Sequence, residues 1–312
     1  MKYKIWLDIW LNNYVKPISK TKTYTTYSYL VSTHINKALG ELELKKITLD
    51  KIQNFVTCLL NFGNQKKKTG LSSSTVNSVI TVIQSSLKVA FTLGKIKVYQ
   101  GQEIRRPKMV QKQVLSFSKS EQQKMETIIL KEKKEEWFGF LIGLYTGLRL
   151  GELLALTWKD IDLKKRLIFI NKTCFYGKSD EGTYQRFLQS PKTNASNRII
   201  PFPKQLLFCF KEKKERYTSP YVVTKNNAPI SIRNYQRIFT SFLQKLSIPQ
   251  KGFHSLRHTF ATRALECGMD VKTLSELLGH KAASITLNLY AHSFLEHKKQ
   301  MMDRLGNQIT IQ

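Results

Sequence analysis

HSLRHTFATRALECG, residues 254–268, sets His254 and Arg257 one helical turn apart and places His258 four residues after His254. On a helix such side chains share a face. The His254/His258 spacing is also that of metal ligands on a helix. Arg257, on nearly the same face, would repel a cation, and there is no HExxH glutamate or obvious third ligand. The histidine and arginine make better sense aimed at an anion, so no metal is expected here.

The rest of the chain favours an anion as well. Its 312 residues carry 51 Lys+Arg against 22 Asp+Glu, a net charge of +29. A field of that size concerns partners rather than fold, and points to a polyanion, nucleic acid before a membrane surface. Residues 1–117 hold 19 basic and 5 acidic side chains and the remainder 32 and 17, so both halves are positive. Cys58, Cys174, Cys209 and Cys267 form no CxxC pair, which argues against a zinc module or a disulfide framework. The opening MKYKIWLDIWLNNYVK is broken by Asp8, Asn12 and Asn13 and does not read as a signal peptide. No apolar run is long enough to span a bilayer. The expected setting is the cytoplasm, with no membrane partner.

Residues 1–100 read as a small helical bundle. Apolar positions 24, 27, 30, 31, 35, 38 and 39 approach a 3.6-residue period, with Gly40 as a left-handed stop. A second helix runs from an N-cap at Thr48 to Gly63, and a third from SSSTVNS to Gly94. Residues 101–117 lose the period, are basic, contain Pro107, and read as a linker. At Ser118 the SKSE capping box opens a second, mixed domain over 118–293. There RLIFINKT, TYQRFLQS and NRIIPFP alternate as strands of a small inserted sheet, followed by helices to near residue 305.

Three further places hold residues suited to phosphate chemistry. In YTGLRLGELLALTW, Arg149 and Glu152 are three apart, either a surface ion pair or a carboxylate that orients a guanidinium. In SPKTNASNRIIP, Lys192 sits at a strand end; a solvated lysine is its ordinary reading, and one reaching into a cleft is the alternative. In LGHKAASITLNLYAH, Tyr290 follows His280 by ten residues. Alone it is an ordinary half-buried aromatic. A phenol, with a pKa of about 10, becomes a nucleophile when nearby cations stabilise the phenolate.

Together these stretches resemble the tyrosine recombinase (phage integrase) family, in the family's order and spacing over the whole chain. The resemblance implies a helical core-binding, SAM-like domain (1–100), a basic linker (101–117) and a mixed α/β catalytic domain (118–293). Together they would form a mainly helical, C-shaped clamp on DNA. It implies a site-specific recombinase that cuts and rejoins DNA without ATP, a metal or any other cofactor. Tyr290 would form a 3′-phosphotyrosyl link, Arg149 and Arg257 would clamp the phosphate, and Lys192 would protonate the leaving 5′-oxygen. His254 would assist proton transfer, His280 would hydrogen-bond the phosphate, and Glu152 would support from behind. It implies double-stranded core sites, a homo-tetramer on DNA, and an accessory DNA-bending or excision factor. The small residues between His280 and Tyr290 read as a junction that lets the nucleophile's segment move. The tail 294–312 would be exchanged between protomers, the alternative being packing on its own domain. The family's extra arm-binding module is expected to be absent or removed, and His292 has no assigned role.

All twelve arginines lie at or after residue 105, so the first domain meets DNA with lysines and polar side chains. The candidates are Lys20, Lys22, Thr23 and Thr26 at one helix start and Lys67, Lys68, Ser73, Thr75 and Asn77 at another. Arg105, Arg106 and Lys108 join them from the linker. The alternative there is a solvated charged face. For the whole chain the alternatives are a catalytically silent architectural DNA-binding protein, a Xer-like resolvase, or a type IB topoisomerase.

Overall fold

The structure is a computed structural model that describes residues 1–64, 68–109, 115–178, 183–189 and 197–280, and positions 284, 299, 302, 303 and 305–307. Lys67, Lys192, Tyr290, His292, most of the tail and the junction after His280 lie outside the described residues. The chain divides into two units, Met1–Lys112 and Gln113–Gln312.

The first unit is helical: α1 (Tyr3–Trp10), α2 (Thr21–Leu30), α3 (Asn36–Leu39), α4 (Leu49–Phe62) and α5 (Ser73–Thr92). A wide π turn, Leu11–Val15, extends α1, and another, Val31–Ile35, joins α2 to α3, giving the continuous helix expected over 24–39. Apolar residues exactly four apart (Leu7, Leu11, Val15; Val31, Ile35, Leu39) drift around a 3.6-residue helix. A wider turn keeps each row on the core side, and all six are buried. Trp6 and Trp10 fill the centre of this core, and the Trp6 indole donates to the Ser86 carbonyl at 3.1 Å.

Gly40 does not make the expected left-handed stop, since its φ is −61°. The first amides of α1 replace that device: Lys4 N donates to Gly40 O at 3.0 Å and Tyr3 N to Leu42 O at 2.8 Å. One helix start thus satisfies another helix's end. Thr48 is the N-cap of α4 by position, without a side-chain bond. The third helix ends near Gly94 as expected, and Gly94 is left-handed, φ +67°.

The expected linker is not free-standing over its first residues. Ile104 is buried in the first core, Arg105 N donates to Gln53 Oε1 at 3.1 Å, and the Arg106 guanidinium bonds Asn77 O, Thr81 Oγ1 and Gln84 Oε1. Loss of helical period there marked an irregular segment, but irregular backbone with a buried isoleucine is still packed. At its far end Phe117 is buried in the second unit, its N–H donating to Thr259 Oγ1 at 2.8 Å and its carbonyl accepting from Arg263 at 2.8 Å.

In the second unit the Ser118 capping box is made in full, Glu121 N to Ser118 Oγ at 3.1 Å and Ser118 N to Glu121 Oε2 at 2.7 Å. It opens α6 (Lys119–Glu132), followed by α7 (Phe138–Thr146) and α8 (Leu150–Ala155). Strands β1 (Ile161–Asp162), β2 (Leu167–Ile170), β3 (Thr173–Lys178), β4 (Tyr184–Gln189) and β5 (Arg198–Pro201) come next, then α9 (Lys204–Arg216). A short hairpin, β6 (Thr224–Lys225) and β7 (Ala228–Pro229), turns on Asn226 and Asn227, both with positive φ. The chain continues as α10 (Ile232–Lys245), α11 (His254–Glu266) and α12 (Val271–Leu278).

The single inserted sheet expected from the alternation is divided among the described residues. β1–β2–β5 form one antiparallel sheet with Ile168 opposite Ile200 and Ile170 opposite Arg198. β3 and β4 pair only with each other, with Phe175 stacked on Phe187 at 5.2 Å.

An aromatic cluster sets the start of α11. Phe253 packs at ring distances of 5.3 Å from Phe239, 5.6 Å from Tyr235 and 6.3 Å from Phe140. Each such pair contributes roughly 0.5–1.5 kcal/mol beyond the area it buries. The residue before His254 is therefore anchored in the core. Among the described residues no helix is long and apolar enough to cross a membrane.

Candidate active site

The site begins at a glycine. α7 ends at Gly147 with φ +63°, and a Cβ there would lie 2.5 Å from the Phe260 ring and 2.9 Å from Leu278. Both backbone conformation and space exclude a side chain. The reversal sets Arg149 at the N-cap of α8 in extended conformation, φ −68° and ψ 147°, rather than on the helix face that the spacing suggested. Glu152, three residues on, reaches back to it: Arg149 N donates to Oε2 at 2.9 Å and Nη1 to Oε1 at 2.8 Å. A guanidinium cannot accept, so only the glutamate's half of a capping box is made.

This is not a surface ion pair, because the Glu152 side chain is 4% exposed. A second cation holds it from β5. Arg198, itself 6% exposed, donates Nη2 to Glu152 Oε2 at 2.9 Å and Nη1 to Oε1 at 3.1 Å. Burial alone would raise the Glu152 carboxyl. Hydrogen bonding and charge from Arg198, then the charge of Arg149, outweigh it and hold the pKa at about 2.

The end of α12 gathers the rest. Gly279 follows the helix with φ +64°, and the carbonyls before His280 face three arginines from three elements. Arg198 Nε donates to Leu277 O at 2.6 Å, Arg257 Nη2 to Leu278 O at 2.7 Å, and Arg149 Nη2 to Gly279 O at 2.9 Å. Terminal carbonyls of a helix lack intrahelical partners and carry its negative end. Here successive carbonyls are each capped by a guanidinium. Arg257 is buried at 2% exposure and also donates to Gly147 O at 2.8 Å, tying the same cap to the turn that aims Arg149.

The histidines complete the group. His280 Nε2 lies 2.9 Å from Arg257 Nη2. Because the guanidinium can only donate, Nε2 is the acceptor and the ring proton sits on Nδ1. Burial, then Arg257 and Arg149, lower the His280 pKa to about 4, so the ring is neutral at pH 7. His254 is solvent-exposed on the rim of α11, yet crowding by protein atoms, then Arg257 and Arg149, lowers its pKa too. His258 stands edge-on to His254 with ring centroids 4.7 Å apart, its pKa lowered to about 4 by burial, then by His254 and Arg257.

Of the residues singled out from the sequence, Arg149 is hydrogen-bonded to Glu152 and Arg257 to His280, Arg149 also reaches the carbonyl just before His280, and His254 stands one turn before Arg257 on α11. Lys192 and Tyr290 lie outside the described residues. Arg198 was missed: NRIIPFP read only as a strand, and nothing in one sequence separates a buried arginine from a solvated one.

In the first unit, Lys22, Thr26 and Lys68 are exposed, and Lys20, Thr23, Ser73 and Thr75 are half-buried. Lys20 caps α2 by position, Ser72 Oγ accepts from Thr75 N at 3.3 Å, and Lys68 is left-handed at φ +50°. The Asn77 amide is turned inward, donating to Pro107 O at 3.1 Å with Oδ1 shut off from solvent. Asn77 and Arg106 therefore fasten residues 104–108 to α5, while the side chains of Arg105 and Lys108 are exposed.

Comparison with known proteins supplies the context. Residues 106–297 match the phage integrase family, and residues 2–60 match its N-terminal SAM-like domain. A XerC-like tyrosine recombinase of Caldanaerobacter subterraneus subsp. tengcongensis is 27% identical, over 96% of this chain and 82% of its own. The ICEBs1 integrase of Bacillus subtilis is 25% identical, over 93% and 78%. Among solved structures, the Tn1549 transposon integrase in complex with a circular intermediate DNA superposes with a TM-score of 0.76 at 22% identity, covering 98% of this chain and 99% of that one. A lambda integrase tetramer bound to a Holliday junction gives 0.67 at 18% identity, covering 91% and 78%. The fold is that of these solved structures, and with the family match over more than half of its length the chain belongs to the phage integrase family of tyrosine recombinases.

Proposed function

We propose that this chain is a site-specific recombinase of a mobile element, cutting and rejoining double-stranded DNA core sites through Tyr290. The observation that carries the reading is the charge balance behind His280. Three guanidiniums, Arg149, Arg198 and Arg257, meet one carboxylate, Glu152, and the histidines beside them are held neutral. Buried charge left uncompensated is costly, so an excess of cations is a site ready for an anion such as a phosphodiester.

In this mechanism the Tyr290 oxygen attacks the phosphorus, the bond to the 5′-oxygen breaks, and a 3′-phosphotyrosyl ester remains. Arg149 and Arg257 carry the charge that develops on the non-bridging oxygens. His254, neutral at pH 7, accepts the phenolic proton, and His280 offers its Nδ1–H to the phosphate. Lys192 delivers a proton to the departing 5′-oxygen. Attack by a partner strand's 5′-hydroxyl reverses the steps, so no external energy source enters. The exposed Lys22, Lys68, Arg105 and Lys108, with Lys20, Lys67, Thr23, Thr26, Ser73 and Thr75, position the duplex. Four copies would assemble on two core sites, with an accessory factor setting direction and the tail exchanged between neighbours.

The test uses duplexes selected for binding from a pool with randomised cores, then nicked so that cleavage traps the protein on DNA. Wild type forms a covalent adduct and Tyr290→Phe forms none. An adduct that persists in Tyr290→Phe removes the nucleophile assignment. Binding without any wild-type adduct makes the chain an architectural protein.

A further inference from the structure

Arg198 belongs to the site by contact, although it begins a strand rather than either motif that carries Arg149 or Arg257. Its guanidinium binds both oxygens of Glu152 through Nη1 and Nη2 and the Leu277 carbonyl through Nε. Each of these bonds is directed at a residue that also touches, or adjoins one that touches, a phosphate-clamping arginine. Glu152 holds Arg149 Nη1, and Leu277 precedes the carbonyls that hold Arg257 and Arg149.

We propose that Arg198 is a positioning residue of the recombination site, locking β5, the Arg149–Glu152 pair and the C-terminal end of α12 into one unit. The two clamping arginines and the carbonyls that lead into His280 are thereby aligned together. This rests on the reading of Arg149, Arg257 and Tyr290 given above.

The physical case has two parts. First, Glu152 accepts from two cations, and with only Arg149 present its second oxygen would keep a single backbone partner, Arg149 N. A buried carboxylate with fewer partners lets its remaining partner move or takes up a proton. Second, the carbonyls at the end of α12 need donors, and Arg198 supplies the one furthest from the clamp. Removing it loosens the last turn of α12, the base from which His280 and the nucleophile's segment continue. A planar fork makes these bonds at once, and a lysine ammonium on a single point cannot.

The experiment compares Arg198→Gln and Arg198→Lys in the full chain with wild type on the nicked duplex. It measures the single-turnover rate of adduct formation at saturating protein, the equilibrium affinity for the same duplex, and thermal unfolding. Arg198→Gln is expected to slow adduct formation about 10²-fold, the scale of a small misplacement of reacting groups, with affinity within about threefold of wild type. Arg198→Lys recovers part of the rate.

The pH profile separates positioning from general loosening. The groups facing Glu152 are Arg149 and Arg198, with His254 nearby. Without Arg198 the Glu152 carboxyl rises, so Arg198→Gln gains a second acid limb in its rate, beyond the one that protonation of His254 gives wild type. Arg198→Gln/Glu152→Gln loses that limb. A rate within threefold of wild type in Arg198→Gln overturns the proposal, and so does a loss that is uniform with pH and parallel to lost thermal stability. Absence of a wild-type adduct, or an adduct in Tyr290→Phe, instead overturns the underlying reading and this proposal with it.

Discussion

Basic residues do different work in the two units. In the first, Lys22, Lys68, Arg105 and Lys108 extend into solvent, while the Arg106 side chain is tied to α5. In the second, Arg149, Arg198 and Arg257 are interlocked around one carboxylate and one helix end, and two of them are almost fully buried. A lysine in water is a mobile point charge that adds affinity. A buried guanidinium with fixed acceptors has a direction, which is what stabilising a transition state requires.

Arg257→Lys puts this contrast to its hardest test. It keeps the charge but cannot reach Gly147 O, Leu278 O and His280 together. Adduct formation should fall about 10²–10³-fold, with duplex affinity changed far less. If lysine sustains the wild-type rate, charge alone suffices at this position and the contrast collapses.

An intermediate effect is expected from pH. His258 and His280 have pKa values lowered to about 4, and His254 is lowered as well. The unfolded chain therefore binds more protons than the folded one below the ordinary histidine value of about 6.5. Their contribution to stability is complete above that pH and is lost as pH falls toward 4. Hydrogen exchange, corrected for its intrinsic pH dependence, should show α11 losing more protection between pH 6.5 and 5 than α5, whose unit holds one histidine with a lowered pKa, His34. Equal loss in both helices would show that His254, His258 and His280 are not the cause.

The smallest effects belong to the first unit. Lys22→Ala and Lys68→Ala should each flatten the dependence of log K on log salt by ~0.9. Arg106→Ala, whose side chain is bound to α5, should leave the slope unchanged. The comparison is sharpened if Arg106→Ala alters stability instead, and it fails if all three variants shift the slope alike.

Much of this was legible in the sequence. The SKSE box and the helix over 24–39 form as their spacing requires, because capping and apolar periodicity are local. Expectations that treated local signals as self-sufficient changed. Gly40 is right-handed because α1 supplies the missing donors, and residues 101–107 pack because Ile104 finds a core. Asn77, an exposed polar candidate on paper, faces inward to hold that same segment.

By itself the sequence determined which residues could do phosphate chemistry and in what order they come, since Arg149, His254, Arg257 and His280 sit in short runs whose spacing is local. Only the tertiary structure decided that Arg149 caps α8 rather than riding on it, that Arg198 shares Glu152, and that successive carbonyls of α12 are bound from three directions. The reason is physical. A guanidinium's role depends on which acceptors surround it once water is gone, and those acceptors come from elements as much as 130 residues away along the chain.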